Sequence, residues 1–257
     1  MPYLNLRNIM HYYEDEGSGL PLIFLHPPGM GHVVFHEQRM LSRYFRVIVY
    51  DMRGHGYTSK GQDPLSISLL GDDLKEFVDA LEIPKAIFIG YSSGGSVVQD
   101  FAIKHQQRVA GIILCGGFSE VNDVLLDLEF RAGSTVAHNL KLLSWILAKS
   151  HAKTIAEFQY LKAYANKTDV ESLKQFYEKG RVYSCTKKLS TLRVPFLHLS
   201  GERAFYFHHY QQIYKNMLPF ARIIRVAGAF HELPTKSFRE FNHIVRNFVT
   251  SIESNHQ

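Results

Sequence analysis

The sequence predicts an α/β fold, a mostly parallel sheet with helices on both faces. Two observations carry that reading: short β-branched or aliphatic runs alternate with longer stretches of helical period, and 257 residues at 46% hydrophobic suffice for one large domain. Strands are expected at 22–25, 47–50, 86–89, 111–115, 195–199 and 222–226. Between them Leu70, Leu74, Phe77, Val78 and Leu81 form one apolar stripe at helical spacing, and Val97, Val98, Phe101 and Ala102 a shorter one. A final helix carries Phe238, Phe241, Ile244, Val245, Phe248, Val249 and Ile252 along one side, a face for covering a sheet.

The alternation stops between 118 and 192, where Leu140, Leu143, Ile146 and Leu147 surround Trp145, and Val170, Leu173, Phe176 and Tyr177 repeat at helical spacing. This stretch reads as a helical cap inserted into a core made of 1–117 and 193–257. Its apolar face needs covering, and the available surface is the C-terminal edge of the sheet, where open α/β folds bind ligands. An apolar, partly roofed pocket for a small molecule is the expectation.

Composition narrows the class. The N-terminus lacks a basic stretch followed by an apolar run, and no segment reaches the ~18 apolar residues of a membrane span. A soluble, cytoplasmic protein without a membrane partner is expected. Cys115 and Cys185 suit neither a disulfide framework nor a metal site and are read as free thiols. Between 131 and 190 eleven Lys/Arg face four Asp/Glu, an excess read as a solvated basic face. Without a continuous basic stripe or stacking motif, nucleic acid is not an expected partner. Of the fourteen histidines, His11, His105 and His256 are expected at the surface, and His208 and His209, being adjacent, lack zinc spacing.

The chemistry concentrates at Gly90-Tyr91-Ser92-Ser93-Gly94, a G-x-S-x-G turn between the apolar run ending at Ile89 and a helix of small, then apolar, residues. Small residues let a strained strand-helix turn pass close to its neighbours and hold the hydroxyl above the sheet edge. Ser92 is the candidate nucleophile. The helix N-terminus aims backbone N–H groups at the same place, which makes the Ser93 N–H a candidate oxyanion donor.

With this turn, the His26-Pro27-Pro28-Gly29 turn after the first apolar strand, and Asp51-Met52-Arg53-Gly54-His55-Gly56-Tyr57-Thr58-Ser59, similar to D-x-R-G-x-G-x-S, the chain resembles the α/β-hydrolase superfamily. The likeness is to its small bacterial esterase-like members with a helical cap, and it extends over nearly all of the core. It implies that Asp51, Arg53, His55 and Ser59 hold a loop. It also implies that His231, in the loop between the last strand and the final helix, is the general base.

Two departures follow from the same resemblance. The acid that orients the histidine is expected as Asp after the strand near Ser200, but Ser200-Gly201-Glu202-Arg203-Ala204 places Ala204 in that slot, and in such patterns Glu202 is not the acid. Three explanations stand open: a carboxylate from elsewhere, with Glu120 and Asp123 as candidates; a slow dyad enzyme or a binder that kept its pocket; or a deliberately changed residue. The second oxyanion donor normally follows the histidine of the HG-type turn, where Pro27 and Pro28 have no N–H, so Gly29 or Met30 must serve.

The expected function is a cofactor-independent serine hydrolase of small apolar esters, thioesters or lactones, working through a Ser92 acyl-enzyme without a metal. The alternative is a catalytically weak or inactive small-molecule sensor on the same scaffold.

Overall fold

The structure, a computed structural model, describes residues 2–254, so His256 lies outside the described residues. The described residues form eight strands: β1 (Tyr3–Leu6), β2 (Ile9–Glu16), β3 (Pro21–Leu25), β4 (Arg46–Tyr50), β5 (Ala86–Tyr91), β6 (Val109–Cys115), β7 (Phe196–Gly201) and β8 (Arg222–Val226). They form one sheet in the order β1-β2-β4-β3-β5-β6-β7-β8, parallel from β4 to β8, with β1 and β2 added antiparallel at one edge.

All six expected strands are present to within two residues. The first two were not legible, because β2 alternates hydrophobic, polar and acidic side chains without a clean period, and its turn is unusual. Arg7 (φ 52°) and Asn8 (φ 61°) make a two-residue hairpin loop with both residues left-handed, a conformation normally announced by glycine. His11, expected at the surface, is fully buried on β2 against Tyr50, whereas His105 is half-buried at the end of a helix.

The period-two alternation of the central strands supplies two cores. Ile23, Leu25, Ile48, Tyr50, Phe88 and Ile112 face one side, where α1 (Ile67–Ala80), α2 (Gly94–Lys104) and α7 (His208–Met217) cover them. Leu22, Phe24, Val47, Val49, Ile87 and Ile89 face the other, covered by the 3-10 segment His32–Arg43 and by α9 (Phe238–Ser254) through Phe241, Val245, Phe248 and Val249. Both cysteines are buried and free.

Between β6 and β7 lie α3 (Val124–Val136), α4 (Leu140–His151), α5 (Ile155–Ala165) and α6 (Val170–Val182). Asp123, Asn139, Thr154 and Asp169 cap their N-termini, each side chain accepting from backbone N–H groups of the first turn. On α4, Leu143 is buried, while Trp145 and Ile146 are exposed. No helix among the described residues is long and apolar enough to cross a membrane.

Candidate active site

Ser92 stands between β5 and α2 with φ at 51°, in the left-handed region. Strain of this kind costs on the order of 1–3 kcal/mol and persists only where neighbours enforce it. Here the Ser92 N–H donates to Cys115 O (2.8 Å), tying the turn to the end of β6, and the Gly95 N–H donates to Ser92 O (2.9 Å). The glycines are required by contact: a Cβ on Gly90 would lie 2.6 Å from the Gly95 nitrogen, and one on Gly94 2.8 Å from the Leu25 carbonyl carbon. The Ser93 N–H, at the start of α2, makes no hydrogen bond among the described residues.

His231 occupies the loop between β8 and α8 (Leu233–Lys236). Phe207 stacks on one face of its ring, with centroids 4.6 Å apart and planes 8° from parallel, and the Tyr91 ring lies at 5.1 Å. Gly116, at φ 56°, backs Nδ1: a Cβ there would be 2.5 Å from Nδ1 but 3.6 Å from Nε2, so Nε2 points away from this wall. Nδ1 is sealed from solvent and has no hydrogen-bond partner among the described residues. Burial, then the nearby His151, lower the pKa of His231 to about 3, so the ring is neutral at ordinary pH.

None of the expected acids reaches that nitrogen. Ala204 is buried after β7 and offers only a methyl group. The Asp123 carboxylate accepts from the N–H groups of Leu125 (2.9 Å) and Leu126 (3.0 Å). Glu120 accepts from Asn122 (3.1 Å) and Ser184 (2.9 Å). Glu202 accepts from the Gly228 N–H (2.8 Å), bracing the loops after β7 and β8.

Ser92, Ser93 and His231 line one cavity of about 60 Å³. The turn after β3 contributes Pro27, Pro28 and Met30, and the helices after β6 close the other side through Glu129, Phe130, Leu147, His151 and Tyr177. Gly29 (φ 77°) is not part of the lining; its α-carbon is packed beneath Leu147 and Leu173. The Met30 N–H makes a long turn contact to Pro27 O (3.4 Å). Ser92 Oγ and His231 make no hydrogen bond to each other here, and catalytic contacts in ligand-free sites commonly tighten only when substrate binds.

Sequence reasoning passed over His151 and Glu129. His151 Nδ1–H donates to Leu147 O (2.8 Å), which leaves Nε2 to accept from Tyr91 O–H (2.9 Å). Glu129 lines the cavity and is solvent-exposed, yet the protein packed around its carboxyl, with Glu232 as the second cause, pushes it up to about 7. Both sit on helices whose sequence periodicity reports packing and says nothing of what faces a cavity.

The segment 51–59 does hold a loop. Asp51 is buried and accepts from the N–H groups of His32 (2.8 Å) and Tyr57 (3.0 Å) and from Tyr164 O–H (2.6 Å) on α5. Burial alone would raise the Asp51 carboxyl, but His32 holds it below its usual range. Burial likewise opposes the His32 imidazolium, yet Asp51 and Glu14 hold its pKa up at about 9. Arg53 pairs bidentately with Asp73 (2.6 and 2.7 Å), both buried. The Met52 N–H donates to His26 Nε2 (3.0 Å), so His26 carries its proton on Nδ1 and gives it to Pro27 O (2.9 Å), fixing the proline turn. Among the described residues His36, Glu37 and Glu157 bring possible metal-ligand atoms within 4.8 Å of one another, and Lys153 already pairs with both carboxylates.

A sequence model described as the alpha/beta hydrolase fold matches residues 21–159, more than half of the chain. The AB hydrolase superfamily protein YisY of Bacillus subtilis is 32% identical over 97 residues, 37% of this chain and 36% of that protein. The 2-hydroxymuconate semialdehyde hydrolase of a Pseudomonas species is 35% identical over 108 residues, 40% of this chain and 38% of that protein. The matched segments thus span little more than a third of these relatives. Among solved structures, an esterase from Exiguobacterium antarcticum superimposes with a TM-score of 0.87 at 17% identity, covering 97% of this chain and 99% of that one. The enol-lactonase of Burkholderia xenovorans superimposes with a TM-score of 0.81 at 22% identity, covering 97% and 100%. At these identities the likeness is one of fold.

Proposed function

The chain belongs to the alpha/beta hydrolase fold family, and from that premise we propose that it is a cofactor-independent serine hydrolase of short-chain carboxylic esters, thioesters or lactones. One observation carries the proposal: Ser92, held at φ 51° on the strand-helix turn, shares a cavity with the neutral ring of His231, whose Nδ1 is sealed from solvent. In this reading Ser92 Oγ attacks the substrate carbonyl and His231 Nε2 takes its proton. The Ser93 N–H holds the oxyanion, and the proton returns to the leaving group as the acyl-enzyme forms. Water then repeats the sequence and frees the acid. The helices between 118 and 192 act as the cap, and a cavity of about 60 Å³, on the order of two water volumes, suits a short acyl group.

The orphaned His231 Nδ1 sets the expected rate. Without an acceptor the imidazolium formed during attack is unsupported, and loss of the acid from a complete triad costs about 10⁴ in rate. The same observation favours a second reading, a ligand-binding protein that retains the pocket. A fluorophosphonate probe with short-chain nitrophenyl esters separates the two. Labelling and slow turnover that disappear in Ser92→Ala and His231→Ala support the hydrolase; an unlabelled parent, with Ala204→Asp equally silent, supports the binder.

A further inference from the structure

We propose that the groove between the 3-10 segment His32–Arg43 and α9 binds a small organic anion, an apolar body carrying one carboxylate or phosphate. The groove encloses about 240 Å³ and shares no lining residue with the Ser92 cavity. Arg43, Arg239, Arg246 and His243 line it, and among the described residues no carboxylate does. Among the described residues none of the three arginines forms an ion pair or donates a side-chain hydrogen bond. Glu37, whose carbonyl accepts from the lining residue Asn242, has its carboxylate engaged by Lys153.

Two of the guanidiniums are held over aromatic faces, Arg246 at 5.1 Å from the Tyr44 ring centroid and Arg239 at 5.7 Å from that of Phe238. Stacking of this kind orients a guanidinium while leaving its N–H edge free, the edge that carboxylate and phosphate oxygens engage in pairs. Between the charges lies apolar surface, with Met40 50% exposed and Tyr44 55% exposed. Like charges gathered in one concavity without counter-charge repel each other, and an anion with an apolar body relieves the repulsion while covering that surface. The volume falls below the roughly 300–1,000 Å³ of pockets for drug-sized ligands, which points to a small molecule.

The test titrates octyl phosphate, below its micelle concentration and at 0.15 M salt, into the full chain by calorimetry. The comparison protein carries Arg43→Gln, Arg239→Gln and Arg246→Gln, with its fold checked by circular dichroism and Tm. The expected result is binding to the parent that weakens at least tenfold in the triple variant, with inorganic phosphate and 1-octanol each at least tenfold weaker on the parent. Equal affinity in the triple variant would overturn the proposal, as would inorganic phosphate binding as tightly as octyl phosphate. Absence of octyl phosphate binding would also overturn it, and arginine-dependent pelleting on phosphatidylglycerol vesicles would then assign the groove to a membrane surface. None of these readouts depends on Ser92 chemistry, so failure here leaves the hydrolase reading untouched.

Discussion

Phe207 lies flat against His231, its ring 4.6 Å away and tilted by 8°, on the side of the site where the acid slot is filled by Ala204. Together with Gly116 on the Nδ1 edge, it positions by packing an imidazole that a carboxylate would otherwise position by hydrogen bonding.

Disturbing either contact should therefore affect turnover more than folding. Phe207→Leu keeps an apolar side chain, at a stability cost on the order of 1 kcal/mol, but frees the ring to tilt. A fall in kcat of about tenfold with KM within twofold is expected. Gly116→Ala places a methyl against Nδ1 and should lower kcat/KM by about 10² or more, while circular dichroism reports a folded protein. Steady-state kinetics on a nitrophenyl acetate series, beside urea denaturation, measures both.

Restoring the acid should both raise the rate and move its pH dependence. With His231 held at about 3 by burial and by His151, its base form persists down to low pH, so kcat/KM of the parent should show no acidic limb between pH 8 and 5. An aspartate introduced by Ala204→Asp favours the imidazolium and raises that pKa, so an acidic limb should enter this range as kcat rises, by at most about 10⁴. A rate gain without the limb would mean that the new carboxylate acts elsewhere.

Glu129 should contribute the opposite limb. Its carboxyl, raised to about 7 by the protein packed around it and by Glu232, gains a negative charge at the cavity as pH climbs through that value. That charge opposes the oxyanion, so kcat/KM should decline above pH 7, and Glu129→Gln should remove the decline. A pH profile of the variant that keeps the parent's alkaline limb would rule the residue out.

Acid should unfold this protein early. Burial lowers His11, His151 and His198 to about 4 and His26 and His231 to about 3. The unfolded chain binds these protons near pH 6.5 and the folded one does not, so stability is present above 6.5 and falls as pH drops towards those values. Each contributes roughly 1.4 kcal/mol per pH unit, against a domain stability of about 5–15 kcal/mol. His32 has the reverse sign: raised to about 9, it stabilises below 6.5, and that gain is lost as pH rises towards 9. Urea midpoints from pH 8 to 4 should fall steeply below 6, and cooperative unfolding by about pH 4.5 is expected; a chain still folded at pH 3.5 would contradict the account.

Tyr164→Phe tests how α5 is attached to the core. Its hydroxyl donates to the buried Asp51 carboxylate at 2.6 Å, a bond to a charged acceptor worth about 1.5–3 kcal/mol. Asp51 keeps its backbone donors, so a loss near the lower end is expected in urea denaturation.

The family, the parallel sheet and the serine turn were legible in the sequence because each leaves a local trace: apolar runs of strand length, stripes at helical spacing, and glycines where a Cβ has no room. The β1–β2 hairpin left none, since Arg7 and Asn8 turn the chain where glycine would have marked it and β2 mixes His and acids among its apolar positions. What the cavity contains was equally hidden. Nothing local says that Asp123 is spent capping α3, that Glu120 is held by Ser184, or that Glu129 and His151, 37 and 59 positions along the chain from Ser92, come to line its cavity. The sequence by itself determined where the six parallel strands and the helices that cover them form and which serine stands on the turn, because backbone geometry and side-chain period act over a few residues. Only the tertiary structure decided that His231 has no acceptor, that its ring is positioned by packing, and that three arginines share a groove, because hydrogen-bond partners, burial and charge proximity belong to distances that sequence separation does not encode.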